Sequence, residues 1–376
     1  MKSLQKPLRL VTGLLAALAL SLGAAAQGHR APPLESPIIH PDRTITFQIR
    51  AREAQKVELS GQFLKANAPM QRDETGLWSV TLGPVEPNLY PYSFVVDGVA
   101  VADPANLDLF PNERFKASLV DIPGDTPALH AVRDVPHGDL TYSFYGSKKL
   151  KSTRPYVVYT PPGYHAGTAK YPVFYLVSGT TDTEETWFRA GRVNVILDNL
   201  IAEGKAVPMI VVMPYGNMMM GMPNPATPEV APAYQAFCDE LLAEIMPRIE
   251  STYRVLTGPE HRAIAGFSRG GGQSLFTALS HPDKFGWLAS YSAFLTPELC
   301  GKHFPEMISQ PAQTNARLKL FWLGVGRDDF LYPQATTFNA FLKEKGIRHE
   351  TLITEGGHTW MNARHYLAET LQRFFK

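Results

Sequence analysis

Cysteine is scarce in this sequence: only Cys238 and Cys300 occur among 376 residues. So few thiols exclude a disulfide-rich scaffold, and two cysteines so far apart do not suggest a zinc site. Their spacing in the sequence does not exclude a disulfide bond between them. Because both lie near apolar patterns, we expect them to be small, buried hydrophobic side chains.

An excess of charge is also missing, since 36 Lys and Arg face 35 Asp and Glu, for a formal net charge of +1. This balance argues against nucleic acid as a partner. The sequence has no glycine loop of the Walker or dinucleotide-binding type and no repeat of solenoid or propeller period. We expect no cofactor and no metal, and the sequence leaves the oligomeric state open.

One apolar run lies near the start of the chain, from Leu10 to Leu22, after three basic residues. It is short for a bilayer span of about 20 residues, and the small residues Ala24-Ala25-Ala26 follow it. We therefore expect residues 1–26 to be a signal peptide that is cleaved near Ala26. The mature protein is then exported, to the periplasm or the medium, without a membrane anchor.

Proline and glycine are plentiful, with 31 and 29 residues spread along the chain, which favours two folded domains with many turns. In the first part, short segments alternate apolar and polar residues, as at Ile45, Phe47 and Ile49, and turn signals separate them. This pattern predicts a small immunoglobulin-like β-sandwich over residues 27–125 and a linker over 126–140.

Residues 141–376 alternate apolar strand patterns with helical ones, which predicts an α/β fold with a mainly parallel sheet and helices on both faces. The ligand site of such a sheet lies at the carboxyl ends of its strands. The predicted strands span residues 156–160, 173–177, 210–213, 263–265, 288–292, 318–325 and 350–354. Helices are predicted over residues 195–203, 338–345 and 366–375, the first two ending at a glycine.

The motif Gly266-Phe267-Ser268-Arg269-Gly270 lies between a predicted strand and a predicted helix. A serine on such a sharp turn has its hydroxyl exposed, and the glycines two residues away on either side permit the strained backbone. The start of the following helix favours developing negative charge. This context indicates a nucleophilic serine, with the amide of Arg269 as an oxyanion donor.

A serine nucleophile needs a base and an orienting acid, which follow it in the order Ser, Asp, His in an α/β-hydrolase. Asp328 and Asp329 follow one predicted strand, and His358 follows the next one after two glycines. Because these strand ends meet at one edge of a parallel sheet, His358 is predicted to take the proton of Ser268.

Residues from about 150 to 376 resemble the putative-esterase family of α/β-hydrolases. This family includes carbohydrate esterase family 1, with feruloyl and acetylxylan esterases, and the enterochelin esterases. The stretches that carry the resemblance are 171–176, 198–206, 265–268, 272–273, 329–332 and 356–360. The resemblance implies Ser268 as nucleophile, His358 as base and Asp329 as orienting acid. The stretches 56–61 and 103–106 resemble the early-set or carbohydrate-binding family 48 domain that is often fused to these esterases.

The chain departs from the family pattern at several positions. Ser178-Gly179-Thr180 stands where the family usually has His-Gly-Gly, and Arg269 stands where methionine is frequent. We expect backbone amides of Thr180 and Arg269 to form the oxyanion hole, so that the Arg269 side chain is not needed. Trp360 is a candidate substrate contact. Met220 is another, because its methionine-rich loop is either a mobile segment or a wall of the acyl pocket.

The sequence and the resemblance together predict an exported serine carboxylesterase that releases feruloyl or acetyl groups from plant cell-wall xylan through an acyl-enzyme. The predicted partner is thus an ester-bearing polysaccharide or oligosaccharide. One alternative is a siderophore esterase of the enterochelin type, and another is a glycan-binding protein that has lost catalysis. A separate sandwich core also predicts that residues 27–125 can be removed without loss of activity on small esters.

Overall fold

The computed structural model describes residues 33–218 and 228–376. The predicted signal peptide and Met220 lie outside these residues. The chain from Ser36 to Lys376 forms one compact unit. Within the described ranges, no helix combines the length and the apolar character that crossing a membrane requires.

The N-terminal part consists of antiparallel strands in two sheets. One sheet has the order β1-β2-β6-β5, and the other has the order β4-β3-β7-β10-β9, with β8 paired to β7. As predicted, Ile45, Phe47 and Ile49 alternate with less buried neighbours and lie in the core between the sheets. The strands are β1 Ile38–Ile39, β2 Ile45–Arg50, β3 Val57–Gly61, β4 Ala68–Pro69, β5 Gln71–Arg72, β6 Leu77–Leu82, β7 Leu89–Val96, β8 Val99–Val101, β9 Leu109–Phe110 and β10 Ala117–Asp121.

The C-terminal part is built on one eight-stranded sheet with the order β11-β12-β14-β13-β15-β16-β17-β18. The pairs β11–β12 and β12–β14 are antiparallel, and the other pairs are parallel. All seven predicted strands are present. The strands are β11 Asp139–Ser147, β12 Ser152–Thr160, β13 Val173–Val177, β14 Ile210–Pro214, β15 Arg262–Gly266, β16 Trp287–Tyr291, β17 Leu320–Gly326 and β18 Glu350–Thr354.

The edge strand β11 was not predicted, and it begins inside the predicted linker. Most of its residues are exposed, so it has little of the apolar alternation that marks a half-buried strand. Its nine residues pair with β12 along their whole length, from Asp139 opposite Thr160 to Ser147 opposite Ser152. The strand therefore owes its conformation to this partner.

Helices connect the strands of the large sheet. The α-helices are α1 Thr186–Arg189, α2 Val193–Ala202, α3 Ala231–Glu240, α4 Met246–Thr252, α5 Arg269–Ser280, α6 Pro297–His303, α7 Pro305–Ser309, α8 Pro311–Arg317, α9 Tyr332–Glu344 and α10 Trp360–Leu371, with a π-helical turn at Leu241–Ile245 and 3₁₀ turns at Pro228–Val230 and Pro259–His261. Gly204 and Gly346 follow α2 and α9 with φ of +67° and +69°, as the C-terminal glycine signals predict. The last helix starts six residues earlier than predicted, where Thr359 caps it by accepting a hydrogen bond from the Asn362 amide.

The large sheet is covered on both faces, as strand β13 illustrates. Its Val173, Tyr175 and Val177 belong to one apolar cluster, and Phe174 and Leu176 belong to the cluster on the opposite face. The second cluster also takes in Leu89, Phe110, Ala117 and Leu119 of the N-terminal sheet. One continuous core therefore joins the N-terminal strands to the C-terminal sheet.

Both cysteines are free and buried, Cys238 on α3 and Cys300 on α6. Burial raises the pKa of Cys238 to about 11 and that of Cys300 to about 12. The two thiols therefore behave as core side chains.

Candidate active site

Ser268 occupies the sharp turn between β15 and α5, with φ of 55° and ψ of −123°. The flanking glycines have no room for a side chain. A Cβ at Gly266 would lie 2.4 Å from the carbonyl carbon of Gly270, and one at Gly270 would lie 2.3 Å from the carbonyl oxygen of Val177. The turn therefore requires small residues at both positions, and it holds Ser268 half-exposed at the carboxyl end of the sheet.

His358 and Asp329 come together at the ends of β18 and β17. The Nδ1 atom of His358 lies 2.9 Å from one Asp329 carboxylate oxygen and 3.1 Å from the other. Asp329 is only 3% exposed, whereas the neighbouring Asp328 is exposed. Burial raises the pKa of Asp329, but the hydrogen bond and charge of His358 and the amide of Leu331 outweigh it, so the pKa lies below its ordinary value. Asp329 is therefore ionised and faces the imidazole.

Ser268 and His358 line the same cavity, and aromatic rings flank the imidazole. The Phe267 and Phe330 rings lie 4.7 Å and 4.6 Å from it, measured between ring centroids. Within the described residues, Ser268 and His358 do not share a hydrogen bond, and such bonds often tighten only when substrate is bound. The predicted nucleophile, base and acid are thus brought to one place.

The loop of residues 178–182, here called the oxyanion loop, follows β13 and faces Ser268. Its Gly179 amide donates to the Asp182 carboxylate at 3.1 Å, and the Ser178 hydroxyl donates to the Thr183 carbonyl at 2.8 Å. The Gly179 amide is thus engaged, whereas Thr180 is exposed and lines the cavity, so its amide is the candidate oxyanion donor. The serine that replaces the usual histidine closes the turn of the loop.

The side chain of Arg269 is fully buried, a placement that the sequence did not predict. Its Nη2 atom donates to the Gly179 carbonyl at 2.7 Å. Burial lowers the pKa of Arg269, while the nearby carboxylates of Asp182 and Glu113 act in the opposite direction. The guanidinium therefore holds the oxyanion loop, in addition to any role of the Arg269 amide.

The cavity has a volume of about 650 Å³, and the N-terminal part supplies much of its wall. Trp360 lines the cavity but is 3% exposed, and its ring packs against Phe110, Trp187 and Phe267. The sequence did not point to the wall residues of the N-terminal part, because no motif marks them. These residues are Ser60, Gly61, Gln62, Pro91, Tyr92, Ser93, Phe110, Asn112, Arg114, Phe115 and Ala117.

Within residues 33–218 and 228–376, no group of three or more His, Cys, Asp or Glu side chains is arranged to hold a metal ion. The polar groups that line the cavity include hydroxyls, amides, one guanidinium, one imidazole and the Asp182 carboxylate. Such a set can activate a hydroxyl nucleophile and stabilise an oxyanion.

Comparison with known proteins identifies the family of this chain. The sequence model described as "Putative esterase" matches residues 147–374, which is more than half of the chain. The chain belongs to the putative-esterase family. The matched region contains the Ser268 turn, the oxyanion loop and the Asp329–His358 pair.

Among curated relatives, this chain is similar to an endo-1,4-β-xylanase/feruloyl esterase of Xylanibacter ruminicola, with 29% identity over 357 residues. The alignment covers 92% of this chain but 46% of the relative. The chain thus spans less than half the length of the curated relatives it matches. These likenesses support a carboxylic ester hydrolase.

Solved structures of two kinds resemble this chain. A CE1 ferulic acid esterase of Anaeromyces mucronatus is 26% identical, with a TM-score of 0.54, over 66% of this chain and 96% of that chain. The enterobactin esterase of Shigella flexneri is 18% identical, with a TM-score of 0.63, over 88% of this chain and 93% of that chain. At 18% identity, the similarity to the enterobactin esterase shows the fold alone. The similarity covers more of this chain than the part built on the large sheet.

Proposed function

We propose that this protein is a serine carboxylesterase in which Ser268 is the nucleophile, His358 the general base and Asp329 the orienting acid. The observation that carries the proposal is the buried Asp329 carboxylate held 2.9 Å from His358 Nδ1, in a cavity shared with Ser268. This contact directs the other ring nitrogen, Nε2, away from the carboxylate and leaves it for the serine proton.

The proposed reaction passes through an acyl-enzyme. His358 Nε2 takes the proton of the Ser268 hydroxyl as its oxygen attacks the ester carbonyl, and the resulting oxyanion accepts hydrogen bonds from the Thr180 and Arg269 amides. The imidazolium then returns its proton to the leaving alcohol as the bond between carbonyl carbon and alkoxy oxygen breaks. Water repeats the sequence and releases the acid. No cofactor takes part in these steps.

An aromatic acyl group suits the cavity better than acetyl does. The volume of about 650 Å³ lies in the range of sites for whole small-molecule ligands. Phe115 and Phe330 line it and remain 64% and 66% exposed, so their rings are open to a planar partner. The feruloyl esterase names of the relatives agree with a hydroxycinnamoyl ester, and the proposed substrate is therefore feruloylated xylan.

We extend the proposal to the rest of the chain. The two antiparallel N-terminal sheets fit an immunoglobulin-like, early-set module, and the enterobactin esterase likeness over 88% of the chain is consistent with it. The basic and apolar start of the sequence is the basis for export after cleavage near Ala26. An exported enzyme would meet the polysaccharide outside the cell.

One observation fits the siderophore-ester alternative as well as the proposed substrate. Arg114 lines the cavity, and its guanidinium has no hydrogen-bond or ion-pair partner within the described part of the chain. A cation beside aromatic rings suits an acidic catechol as well as a ferulate ring. The assembled triad residues, by contrast, count against a glycan-binding protein without catalysis, which needs none of them.

Turnover of matched esters tests the proposal. Methyl ferulate, p-nitrophenyl acetate, feruloylated and acetylated xylan oligosaccharides and a 2,3-dihydroxybenzoyl-serine ester are compared by kcat/KM. We expect the feruloyl esters to be preferred. Preference for the dihydroxybenzoyl ester would support the alternative, and failure of a fluorophosphonate to label Ser268 in the wild-type protein would refute the serine mechanism.

A further inference from the structure

A buried polar network connects the N-terminal part of the chain to the oxyanion loop. Asn112 follows β9, and its side-chain amide donates to the Asp182 carboxylate at 2.8 Å. The two residues also face each other as an isolated antiparallel bridge. In the next position, the Glu113 amide donates to the Thr181 carbonyl at 2.8 Å. The oxyanion loop is therefore bound along its second half by a segment about 70 residues earlier in the sequence.

The Asp182 carboxylate joins this segment to the catalytic turn. One of its oxygens accepts from Asn112, and the other accepts from the Gly179 amide. The Arg269 guanidinium donates to the carbonyl of the same Gly179. Both peptide groups of Gly179 are thus held, one by Asp182 and the other by Arg269. Burial raises the pKa of Asp182 to about 7, and the Asn112 and Arg269 contacts act in the opposite direction.

The backbone of the loop needs such support. Thr181 has a φ of +63°, a left-handed conformation that β-branched residues rarely adopt. Conformations of this kind persist only where surrounding contacts determine them, and they concentrate at functional sites. A Cβ at Gly179 would lie 2.8 Å from the Asp182 carboxylate, so the loop packs closely onto that side chain.

Two further residues stabilise the supporting segment. The side-chain amide of Asn217 donates to both Glu113 oxygens at 2.7 Å, and Tyr215 donates to the same carboxylate. The charges of Asp182 and Glu113 also act to raise the pKa of Arg269, against the effect of its burial. The two carboxylates of the network therefore favour the charged form of this buried side chain.

We propose that Asn112 and the Arg269 side chain are positioning residues that hold the oxyanion loop so that the Thr180 amide points at the reacting carbonyl. The N-terminal part thereby helps to stabilise the transition state of ester hydrolysis. The inference rests on the proposed function. In this chain the buried Arg269–Gly179 contact and the Ser178–Thr183 contact hold a loop that lacks the usual His-Gly-Gly sequence.

The full-length protein is tested with Asn112→Ala, Asn112→Asp, Arg269→Met and Arg269→Lys. Because the oxyanion loop stabilises the transition state, we expect its variants to lower kcat and to leave KM little changed. For Asn112→Ala the expected fall in kcat is roughly 10- to 100-fold. This is less than the roughly 10²- to 10³-fold fall that removal of an oxyanion-hole donor causes. Asn112→Asp sets two carboxylates against each other and should lose more. Arg269→Lys retains the charge and should keep more activity than Arg269→Met.

A tetrahedral inhibitor gives a readout that a purely structural role would not move. Phenylboronic acid forms a tetrahedral adduct with an active-site serine, so its inhibition constant should rise across the variants in proportion to the loss of kcat/KM. The matched controls are Asn199→Ala, which removes contacts to the Leu129 and Ala131 carbonyls, and Arg364→Met, which removes a buried guanidinium from the Leu89 carbonyl and Asn88. The controls should lower the melting temperature and leave kcat and boronate inhibition unchanged.

The outcomes separate the two proposals. If the Asn112 and Arg269 variants lower stability only, with kcat and boronate inhibition as in the controls, the positioning role is wrong. If Arg269→Met does not fold, the two Asn112 variants and Arg269→Lys still decide the question. If wild-type Ser268 is not labelled by a fluorophosphonate, the proposed function fails instead.

Discussion

Asp328 and Asp329 are adjacent in sequence but have opposite environments. Asp328 is exposed, while Asp329 is buried and accepts from His358 Nδ1 and from the Leu331 amide. At the scale of single residues, the site is therefore decided by which side chain turns inward from a strand end. The same holds for Arg269, whose side chain is as buried as its neighbours in the core.

Alanine at Ser268 or at His358 is expected to lower kcat by about 10⁴- to 10⁶-fold, because the residues of a triad act as one unit. Both side chains lie at the cavity surface, so the fold should be retained. The measurement is turnover of methyl ferulate together with circular dichroism. The double variant should lose little more than either single one, and additive losses would argue against a shared step.

Asp329→Asn is expected to lower kcat by about 10⁴-fold, since an amide leaves the imidazole in the wrong tautomer. Asp328→Asn is the matched control and should stay near wild type. The comparison is made by kcat at neutral pH. Equal losses in the two variants would move the acid away from Asp329.

The lowered pKa of Asp329 also predicts a pH dependence of stability. A carboxyl whose pKa is lower in the folded state stabilises the fold above its unfolded value of about 3.9, and this stabilisation is lost as pH falls through the folded value. The difference in unfolding free energy between wild type and Asp329→Asn should therefore shrink when urea unfolding is repeated below about pH 4. A difference that is constant with pH would contradict the pairing.

The strand-turn-helix unit around Ser268 is the element on which the site depends. Strand β15 is buried along its length, and α5 follows it directly with Gly270 in its first turn. Because Gly270 lies against the carbonyl oxygens of Val177 and Ser178, the helix approaches β13 as closely as backbone allows. The element therefore fixes the distance between the nucleophile and the oxyanion loop.

Gly270→Ala is expected to destabilise the protein by several kcal/mol or to displace Ser268, since the new Cβ would lie 2.3 Å from the Val177 carbonyl oxygen. Gly301→Ala on helix α6 is the control, because a Cβ there meets nothing within 4 Å. That change should stabilise by up to about 1 kcal/mol. Thermal and urea unfolding compare the two, and a well-folded, active Gly270→Ala protein would contradict the close packing.

At the scale of the whole molecule, the N-terminal strands and the large sheet share one apolar cluster. Leu89, Phe110 and Leu119 lie in it beside Trp187 and Trp360, and the buried Arg364 donates to the Leu89 carbonyl at 2.8 Å. The domain limits at residues 125 and 141 stay a prediction, because Ser36–Lys376 packs as one unit. Because of these contacts, removal of the N-terminal strands would expose apolar side chains of the large sheet.

Removal of residues 27–125 is expected to lower both stability and activity on small esters, contrary to the expectation from sequence. It would expose part of the apolar cluster and delete Asn112 and much of the cavity wall. Solubility, melting temperature and turnover of p-nitrophenyl acetate are the measurements. Full activity of a soluble truncated protein would show that the N-terminal part is dispensable for the chemistry.

Local patterns in the sequence were enough to predict the strands β12 to β18, the Ser268 turn and the neighbourhood of Asp329 and His358. The physical reason is that strand alternation, glycine turns and helix ends are set by residues a few positions apart. The polar edge strand β11 escaped prediction because its pairing with β12, and not its own pattern, makes it a strand.

Only the tertiary structure placed Asn112 against Asp182 and the Arg269 guanidinium against the Gly179 carbonyl. These partners are 70 and 90 residues apart, and neither contact has a pattern in the sequence. A buried polar group must find a partner wherever the fold brings one, so its role follows from packing. The sequence by itself determined which side chains could form the proposed triad, and the packing of the N-terminal strands decided what holds the oxyanion loop and what forms the cavity wall.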